Sequence, residues 1–311
     1  MNNLKIVFMG TPDFAVPCLK TLNENYEVIA VITQPDRPKG RGQKLTPSPI
    51  KEYALEHNLT VLQPEKIKTS ETEEQLKKLA PDLIVVVAFG QILSKAILDI
   101  PQLGCINVHA SLLPKYRGAA PIHWSIINGE TKTGITTMYM DVGLDTGDMI
   151  LKEEVSISAK MNTGELHDTL MNIGAKTLLQ TIKQIAEGSV VRNKQNDAKA
   201  SYAPLLTKEL ERINWLLPAQ EIYNLVRGLN PWPVAFSIFK GKKLKIWQTK
   251  VIDNVTIGEI GTVLSLTETG FTVQTGKGIL EILELQPESK RKMTAKDFVC
   301  GNQISINDKL E

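Results

Sequence analysis

The chain has 311 residues, of which 42% are hydrophobic and 23% are charged, and its net charge is +2. This composition is typical of a globular protein large enough for two domains, each with its own core. The longest strongly apolar run, residues 83–89, is far shorter than the roughly 18 to 20 residues that cross a bilayer. Three widely spaced cysteines argue against a disulfide framework and against a cysteine-rich zinc site. The first residues lack the pattern of a secretory signal or a transit peptide, so we expect a cytoplasmic protein without a membrane span.

The N-terminal part of the chain has the pattern of a parallel α/β sheet. Unbroken apolar runs from Leu4 to Met9 and from Val28 to Ile32 predict buried strands, and the segment between them has helical spacing. The first run is followed by GTPDFAVP, which lacks the G-x-G-x-x-G fingerprint of dinucleotide-binding proteins. A nicotinamide cofactor is therefore disfavoured, although the architecture resembles one that uses it.

A basic segment, residues 34–49, interrupts this pattern. Its sequence, QPDRPKGRGQKLTPSP, contains four prolines and two glycines, which predicts neither core packing nor regular structure. Two interpretations stay open. The segment is either a solvated, mobile insertion or an arm that contacts a phosphate backbone and becomes ordered when the partner binds. The candidate phosphate-binding cations are Arg37, Lys39, Arg41 and Lys44.

The strongest strand pattern in the chain runs from Leu83 to Ala88 and ends in Phe89-Gly90-Gln91. In an open α/β sheet, ligands bind in the crevice beyond the carboxyl ends of the strands. The backbone groups of Phe89 and Gly90 are therefore candidates for contact with a flat heterocycle. A place in the core is an equally good interpretation of the Phe89 side chain.

The next strand begins at Cys105 and places Asn107, His109 and Ser111 at alternate positions. Alternate side chains of an extended strand leave the same face, so these three polar groups are expected to point together. The prolines and glycines that follow, in LLPKYRGAAP, cannot continue the strand. The sequence thus predicts a strand that delivers polar side chains to a crevice lined by loops.

A second polar loop, DVGLDTGD at residues 141–148, follows a segment from Thr133 to Met140 that alternates apolar and polar residues. The alternation predicts a half-exposed strand, and acidic loops of this kind most often serve turn chemistry. Asp145 is the candidate exception. If its strand lies beside that of His109, the carboxylate can orient the imidazole and stabilise its cationic form.

A carboxamide, an imidazole and a carboxylate together suit acyl or formyl transfer. Two donors can hold the oxyanion of a tetrahedral intermediate while the imidazole manages protons with help from the carboxylate. The simpler alternatives are a structural His109 and an Asn107 that satisfies a turn. A covalent mechanism through Ser111 is weaker, because no G-x-S-x-G elbow surrounds it. No spacing of histidines and carboxylates matches a metal site.

Domain organisation follows from the second half of the chain. Asn162 and Glu165 can cap a long helix that should stop near Gly188, and the following residues are polar and lack a period. We expect a catalytic domain over residues 1–189, a linker over 190–208 and a C-terminal domain over 209–311. Five short strands with glycine-marked turns predict a small antiparallel barrel in the last segment, of the oligonucleotide-binding kind. Its candidate nucleic-acid-binding cations are Lys242, Lys243 and Lys245.

These motifs carry a resemblance to a known family. INVHASLLPKYRGAAPIHW, together with DVGLDTGD, resembles the folate-dependent formyltransferases. MGTPDF, TQPDRPKGRGQKL and NPWPVAF extend the resemblance along essentially the whole chain, to the members that act on aminoacyl-tRNA. The resemblance implies a Rossmann-like, mostly parallel sheet domain followed by a small antiparallel, OB-like β-barrel domain.

The same resemblance implies the substrates and the site. The formyl donor is expected to be 10-formyltetrahydrofolate, and the acceptor is the α-amine of initiator methionyl-tRNA, with no nicotinamide and no metal. Asn107, His109 and Asp145 match the catalytic trio of the family. The run Ser111-Leu112-Leu113-Pro114 matches the folate site, and Arg41 is expected to meet the acceptor end of the tRNA. We expect a monomer.

Two rival functions remain. A formyltransferase acting on a small amine, such as a ribonucleotide or an amino sugar, would use the same trio but would not need the basic segment and the barrel. A non-catalytic nucleic-acid-binding protein with a degenerate α/β domain is a different class, and the intact trio speaks against it.

Overall fold

The computed structural model describes residues 4–39, 44–301 and 303–311. The chain divides into two compact units. The first comprises the described residues of Met1–Gly118, Thr133–Ser156 and His167–Ala203, and the second comprises those of Ala119–Lys132, Ile157–Leu166 and Pro204–Glu311. Within the described ranges, no helix is long and apolar enough to cross a membrane. The division at residues 189 and 208 stays a prediction.

The elements up to residue 203 alternate between strands and helices, as the apolar runs of the sequence indicate. The strands are β1 (Lys5–Gly10), β2 (Glu27–Ile32), β3 (Arg37–Lys39), β4 (Lys44–Thr46), β5 (Val61–Leu62), β6 (Leu83–Val87), β7 (Cys105–His109), β8 (Arg117–Gly118), β9 (Lys132–Tyr139), β10 (Met149–Ser156) and β11 (Tyr202–Ala203). The helices are α1 (Val16–Asn25), α2 (Pro49–Glu56), α3 (Ser70–Leu79), α4 (Lys95–Leu98), α5 (Pro121–Ile127) and α6 (Thr163–Ala186).

Seven of these strands form one sheet in the order β10-β9-β7-β6-β1-β2-β5. Within this order, β7, β6, β1, β2 and β5 each pair in parallel with their neighbours, and β9 is antiparallel to β7. Their apolar runs are buried because residues on both faces pack away from water: all five residues of β6 are buried. The expected Rossmann-like, mostly parallel sheet is confirmed. Gly10 lies beside Val87 and Val86 beside Asn107, so β1, β6 and β7 end at the same edge of the sheet.

The basic segment contains regular structure, and the prediction of none is wrong for part of it. β3 and β4 pair as an antiparallel ribbon in which Arg37 faces Thr46 and Lys39 faces Lys44. Over the described residues, the two strands pair only with each other, and such a ribbon tolerates proline because its edge needs no donor there. At the base of the ribbon, Asp36 accepts hydrogen bonds from Lys51 Nζ at 2.7 Å and from Gln63 Nε2 at 2.9 Å.

The predicted half-exposed strand, now β9, is buried along nearly its whole length. Its polar members are threonines, which stay inside because their hydroxyls find partners there. Thr136 Oγ1 donates to the Ser111 carbonyl at 2.7 Å, and Thr137 Oγ1 lies 2.7 Å from Thr181 Oγ1 on α6. The prediction of a half-exposed strand is therefore wrong, because threonines alternating with apolar residues were taken as exposed.

The elements beyond residue 203 are mainly antiparallel strands. They are α7 (Lys208–Glu211), α8 (Ala219–Gly228), β12 (Phe236–Phe239), β13 (Lys242–Asp253), β14 (Val263–Leu266), β15 (Phe271–Gln274), β16 (Ile279–Pro287), β17 (Met293–Thr294) and α9 (Ala295–Cys300). The strands form a sheet in the order β12-β13-β16-β15-β14, with β17 on β16. Leu310 bridges to Phe239 and Lys309 to Thr262, so the last residues of the chain link the β12 edge with the start of β14. This antiparallel sheet confirms the expected second architecture.

Candidate active site

Strand β7 carries two of the three predicted catalytic side chains. Asn107 is half-buried and His109 is 6% exposed. The strand lies between β6 and β9, with His109 opposite Thr136. The predicted alternate spacing therefore places both polar groups at the carboxyl end of a central strand, where open α/β sheets bind ligands.

Asp145 reaches this cluster from the loop between β9 and β10. Its Oδ2 lies 3.7 Å from His109 Nδ1, and its Oδ1 accepts a hydrogen bond from Asn107 Nδ2 at 3.3 Å. Oδ2 also accepts from the Gly118 N–H at 2.8 Å. The Asp145 backbone is left-handed, with φ of 53°, which aspartate tolerates better than most residues. The structure thus brings together all three residues of the predicted trio.

The imidazole of His109 is oriented by the main chain. Its Nε2 lies 2.9 Å from the Tyr116 carbonyl oxygen, and because a carbonyl can only accept, Nε2 carries a hydrogen. The other ring nitrogen, Nδ1, is directed toward Asp145. Nδ1 is thus the atom at which the ring gains or loses a proton, and a proton there lies within attractive range of the carboxylate.

The loop after β7 is fixed by its own polar groups. The Ser111 hydroxyl donates to the Lys115 carbonyl at 2.6 Å, and the Leu113 N–H donates to Thr136 Oγ1 at 3.2 Å. Ser111 and Leu113 are fully buried, whereas Leu112 and Pro114 are half-buried. The Ser111 hydroxyl is occupied within the loop. Of the four residues expected at the folate site, Leu112 and Pro114 are the two that stay partly exposed.

Lys152, on β10, also supports this loop, and the sequence analysis did not identify it. Its Nζ donates to the Leu113 carbonyl. Burial lowers the pKa of the Lys152 ammonium below its usual range, because removal from water disfavours the charged form.

The two candidates after β6 differ in environment. The Phe89 side chain is 2% exposed and belongs to the core, and its carbonyl accepts from Thr11 Oγ1 at 3.0 Å and from Gln34 Nε2 at 3.1 Å. Gly90 is exposed and has a φ of 84°, so its backbone is open at the edge where the strands end. Gly90 therefore offers the more accessible backbone groups.

The cations of the basic segment are placed unequally. Arg37 is exposed and pairs with the exposed Glu65 at 3.3 Å. Lys44 is exposed at the start of β4, and Lys39 is the last residue of β3. Arg41 lies outside the described residues. Arg37 and Lys44 thus present their charges to solvent.

The cations of the second unit lie on β13. Lys242 is exposed, whereas Lys243 and Lys245 are half-buried on the other face of the strand. Lys243 Nζ lies 3.7 Å from the centroid of the Phe236 ring and 3.7 Å from Glu211 Oε2. These contacts hold the ammonium of Lys243 at a defined place on the sheet.

Four residues around Asp145 escaped the sequence analysis as contributors to the site. The Tyr116 carbonyl and the Gly118 N–H lie within the quoted motif, but backbone groups leave no signal in a side-chain pattern. Arg117, on β8, is 2% exposed, and sequence does not distinguish a buried cation from a solvated one. Gln195 donates to the Asp145 and Gly147 carbonyls from a polar, aperiodic stretch.

The remaining histidines lie elsewhere. His57 is exposed and stacks on Tyr53 with ring centroids 4.0 Å apart. His167 is buried, with Nε2 3.6 Å from Asp13 Oδ1. Over residues 4–39, 44–301 and 303–311, no group of three or more His, Cys, Asp or Glu side chains could hold a metal ion.

Two family models match the chain. Residues 4–182 match the formyl transferase family, and residues 205–303 match the formyl transferase C-terminal domain. The chain belongs to the formyl transferase family.

More particularly, curated relatives of high identity are named methionyl-tRNA formyltransferase. The protein of Clostridioides difficile strain 630 is 55% identical over 97% of this chain and 98% of its own length. That of Clostridium perfringens strain 13 is 56% identical over 99% of this chain and 100% of its own. Among solved structures, an N-formyltransferase from Helicobacter canadensis, in complex with folinic acid and dTDP-3-aminofucose, matches with a TM-score of 0.67. It is 23% identical, over 90% of this chain and 99% of that one, and therefore shows the fold alone.

Proposed function

We propose that the protein transfers a formyl group from 10-formyltetrahydrofolate to the α-amino group of methionine on initiator methionyl-tRNA, giving formylmethionyl-tRNA for translation initiation. The observation that carries the proposal is the cluster of Asn107, His109 and Asp145 at the end of β7. It lies in a chain 55% identical over 97% of its length to a relative named methionyl-tRNA formyltransferase.

The first step is attack of the neutral amine on the formyl carbon. Negative charge develops on the formyl oxygen, and preorganised donors stabilise it. A carboxamide nitrogen carries two hydrogens. Asn107 Nδ2 bonds Asp145 with one, at 3.3 Å, and offers the other to the oxyanion. The protonated Nδ1 of His109 supplies the second donor, close to the Asp145 carboxylate that balances its charge.

The second step breaks the bond between the formyl carbon and the folate nitrogen. The amine loses one proton and the folate nitrogen gains one, so the reaction needs a group that carries a proton between them. His109 Nδ1, protonated at the start, donates its proton to the folate nitrogen as that bond breaks. The neutral ring then takes up at Nδ1 the proton that the amine loses, because Nε2 is committed to the Tyr116 carbonyl. Asp145 supports the cationic ring and assists proton movement through water. No covalent enzyme intermediate is required, in agreement with the internal hydrogen bond of Ser111.

The folate is assigned to the edge where β6 and β7 end. The half-buried side chains of Leu112 and Pro114 offer apolar contact, and the exposed backbone at Gly90 offers polar groups to a flat heterocycle. The buried Ser111, Leu113 and Phe89 would shape this surface from behind.

The tRNA is assigned to the cations of both units. Phosphate recognition needs exposed positive charge, which Arg37 and Lys44 present on the ribbon and Lys242 on β13. Lys243, beside the Phe236 ring, and Lys245 add positive charge on the other face of β13. Lys39 and Arg41 complete the proposed set.

The test is a formylation assay with purified protein and 10-formyltetrahydrofolate. The acceptors are initiator methionyl-tRNA, free methionine and a panel of small amines that includes a nucleotide-linked amino sugar. We expect formylated product with methionyl-tRNA only. Product from the amino sugar but not from the tRNA would assign the protein to the formyltransferases that act on small amines. No product from any acceptor would contradict the proposal that the protein is an enzyme.

A further inference from the structure

Gln195 uses the whole hydrogen-bonding capacity of its side chain around the candidate active site. Its Oε1 accepts from Arg117 Nε at 3.0 Å and from Arg117 Nη2 at 2.8 Å. Its Nε2 donates to the Asp145 carbonyl at 2.7 Å and to the Gly147 carbonyl at 2.8 Å. A primary carboxamide has two acceptor and two donor directions, and all four are filled. Such a side chain has a single orientation.

Arg117 fixes the other end of this arrangement. The guanidinium is buried, with 2% of the residue exposed, and Nη2 also pairs with Asp197 Oδ1 at 2.6 Å. The Arg117 N–H donates to the Ser201 carbonyl at 2.8 Å, and β8 pairs with β11. The cation that orients Gln195 is therefore held on both its main chain and its side chain.

Asp145 accepts hydrogen bonds from these neighbours at two of its groups. Gln195 holds its main-chain carbonyl, and Gly118, the residue after Arg117, donates its N–H to the carboxylate at 2.8 Å. The left-handed backbone of Asp145 is unfavourable for a residue with a side chain, so surrounding contacts must maintain it. The donors from Gln195 to the carbonyls of Asp145 and Gly147 are contacts of that kind.

We infer that Gln195 is a positioning residue for formyl transfer, which acts by holding the Asp145–Gly147 backbone so that the Asp145 carboxylate stays beside His109. The inference rests on the proposed function. The hydrogen-bonding groups of Gln195 are used by Arg117 and by the Asp145 and Gly147 carbonyls, so in this role Gln195 acts through Asp145. Loss of its two donors should therefore lower kcat and leave substrate binding unchanged.

The decisive variant is Gln195→Glu. Glutamate has the same shape and still accepts from Arg117, but it presents oxygen instead of N–H to two carbonyl oxygens. We expect kcat for methionyl-tRNA to fall by about 10- to 100-fold, since a displacement of about 1 Å in a catalytic group has effects of this size. KM for both substrates should stay within about threefold of the wild type, because uniform binding is untouched. Gln195→Met, which removes the donors without adding charge, should lower kcat in the same direction.

The matched control is Asn196→Asp. It makes the same amide-to-acid change one residue along, and its side chain accepts from the Ala198 N–H, a bond that aspartate keeps. This control should retain the wild-type kcat. Thermal unfolding and folate binding by each variant report whether it is folded. If Gln195→Glu does not fold, the same kinetic split is measured on Gln195→Met.

A double-mutant cycle tests whether Gln195 affects kcat through the Asp145 carboxylate or independently of it. In an Asp145→Asn background the carboxylate is already lost, so adding Gln195→Glu should lower kcat by less than about threefold. Full additivity of the two changes would overturn the inference, as would a folded Gln195→Glu or Gln195→Met protein with unchanged kcat. Wild-type turnover is measured alongside. If the wild type fails to formylate methionyl-tRNA, the proposed function fails, whereas unchanged Gln195 variants of an active wild type sink only the positioning role.

Discussion

The catalytic cluster and the β3–β4 ribbon belong to the same unit but are built in opposite ways. His109 is 6% exposed, Asp145 Oδ2 lies 3.7 Å from its Nδ1, and Asn107 donates to Asp145 Oδ1 at 3.3 Å. Arg37, on the ribbon, is 65% exposed and pairs only loosely, with a carboxylate that is itself 71% exposed. Stabilising a developing oxyanion needs donors fixed before the reaction, whereas attraction of a phosphate backbone acts over a distance and tolerates mobile charges. Under the proposed function, the fixed geometry of the cluster serves the chemistry, and the exposed charge of the ribbon serves tRNA recognition.

Removing one member of the fixed cluster should give the largest effect. We expect His109→Ala to lower kcat by about 10²- to 10⁴-fold, the usual contribution of acid–base catalysis. Asn107→Ala should cost about 10²- to 10³-fold, as loss of one oxyanion donor does. Asp145→Asn should fall in the range of His109→Ala. Single-turnover formyl transfer measures each rate, with folate affinity expected to be unchanged.

The control for this set is His57→Ala, because His57 is exposed and contacts Tyr53, which lies outside the cluster. Its rate should equal that of the wild type. A well-folded His109→Ala protein that turned over at a near-normal rate would contradict the division between fixed chemistry and exposed recognition.

Neutralising the ribbon should give a smaller and qualitatively different effect. We expect Arg37→Ala and Lys44→Ala to raise KM for methionyl-tRNA and to leave kcat at saturation near the wild-type value. Each lost phosphate contact should reduce the slope of log affinity against log salt by about one. The tRNA affinity of each variant, measured by fluorescence at several salt concentrations, gives this slope.

Lys20→Ala is the matched control, because it removes an equally exposed cation from helix α1. It should alter neither KM nor the salt slope. If Arg37→Ala lowered kcat while KM and the salt slope stayed constant, the ribbon would belong to the chemistry and the comparison would fail.

The smallest effect is expected at the base of the ribbon, where Asp36 meets Lys51. The hydrogen bond from Lys51, followed by that from Gln63, lowers the pKa of the Asp36 carboxyl. A carboxyl whose pKa is lower in the folded state stabilises the protein above its unfolded pKa, and this stability is lost as the pH falls through the folded value. Lys51→Met should therefore weaken the fall of the urea midpoint as the pH drops below about 3.9, the ordinary pKa of an aspartate.

Lys20→Met serves as the comparison, since the Lys20–Glu24 pair is long, at 4.0 Å, and exposed. It should leave the acid dependence unchanged. An equal response of the two variants would mean that the base of the ribbon is no better fixed than the surface around it.

The sequence was sufficient for what depends on side-chain periodicity. Alternate spacing put Asn107 and His109 at one end of β7, and the apolar runs indicated the parallel sheet. It failed where hydrogen bonds override composition. The prolines of residues 34–49 hid the β3–β4 ribbon, and the threonines of β9 were taken as exposed although their hydroxyls bond inside the protein.

Long-range polar contacts could not be predicted from the sequence, for a different reason. Gln195 lies 50 residues from Asp145 in sequence, within a stretch without any period. Neither its residue type nor its neighbours indicate that its amide meets two carbonyls of a remote loop. Contacts of this kind depend on how the chain returns to the sheet, which no local pattern contains.

The course of residues 190–203 has a consequence for recombination between relatives. These residues belong to the first unit, and β11 closes them onto β8 beside Arg117. A chimaera joined after residue 189 would take Arg117 from one parent and the Gln195 position from the other. A junction after residue 203 inherits the two as a pair, so crossover points on that side should give active hybrids more often.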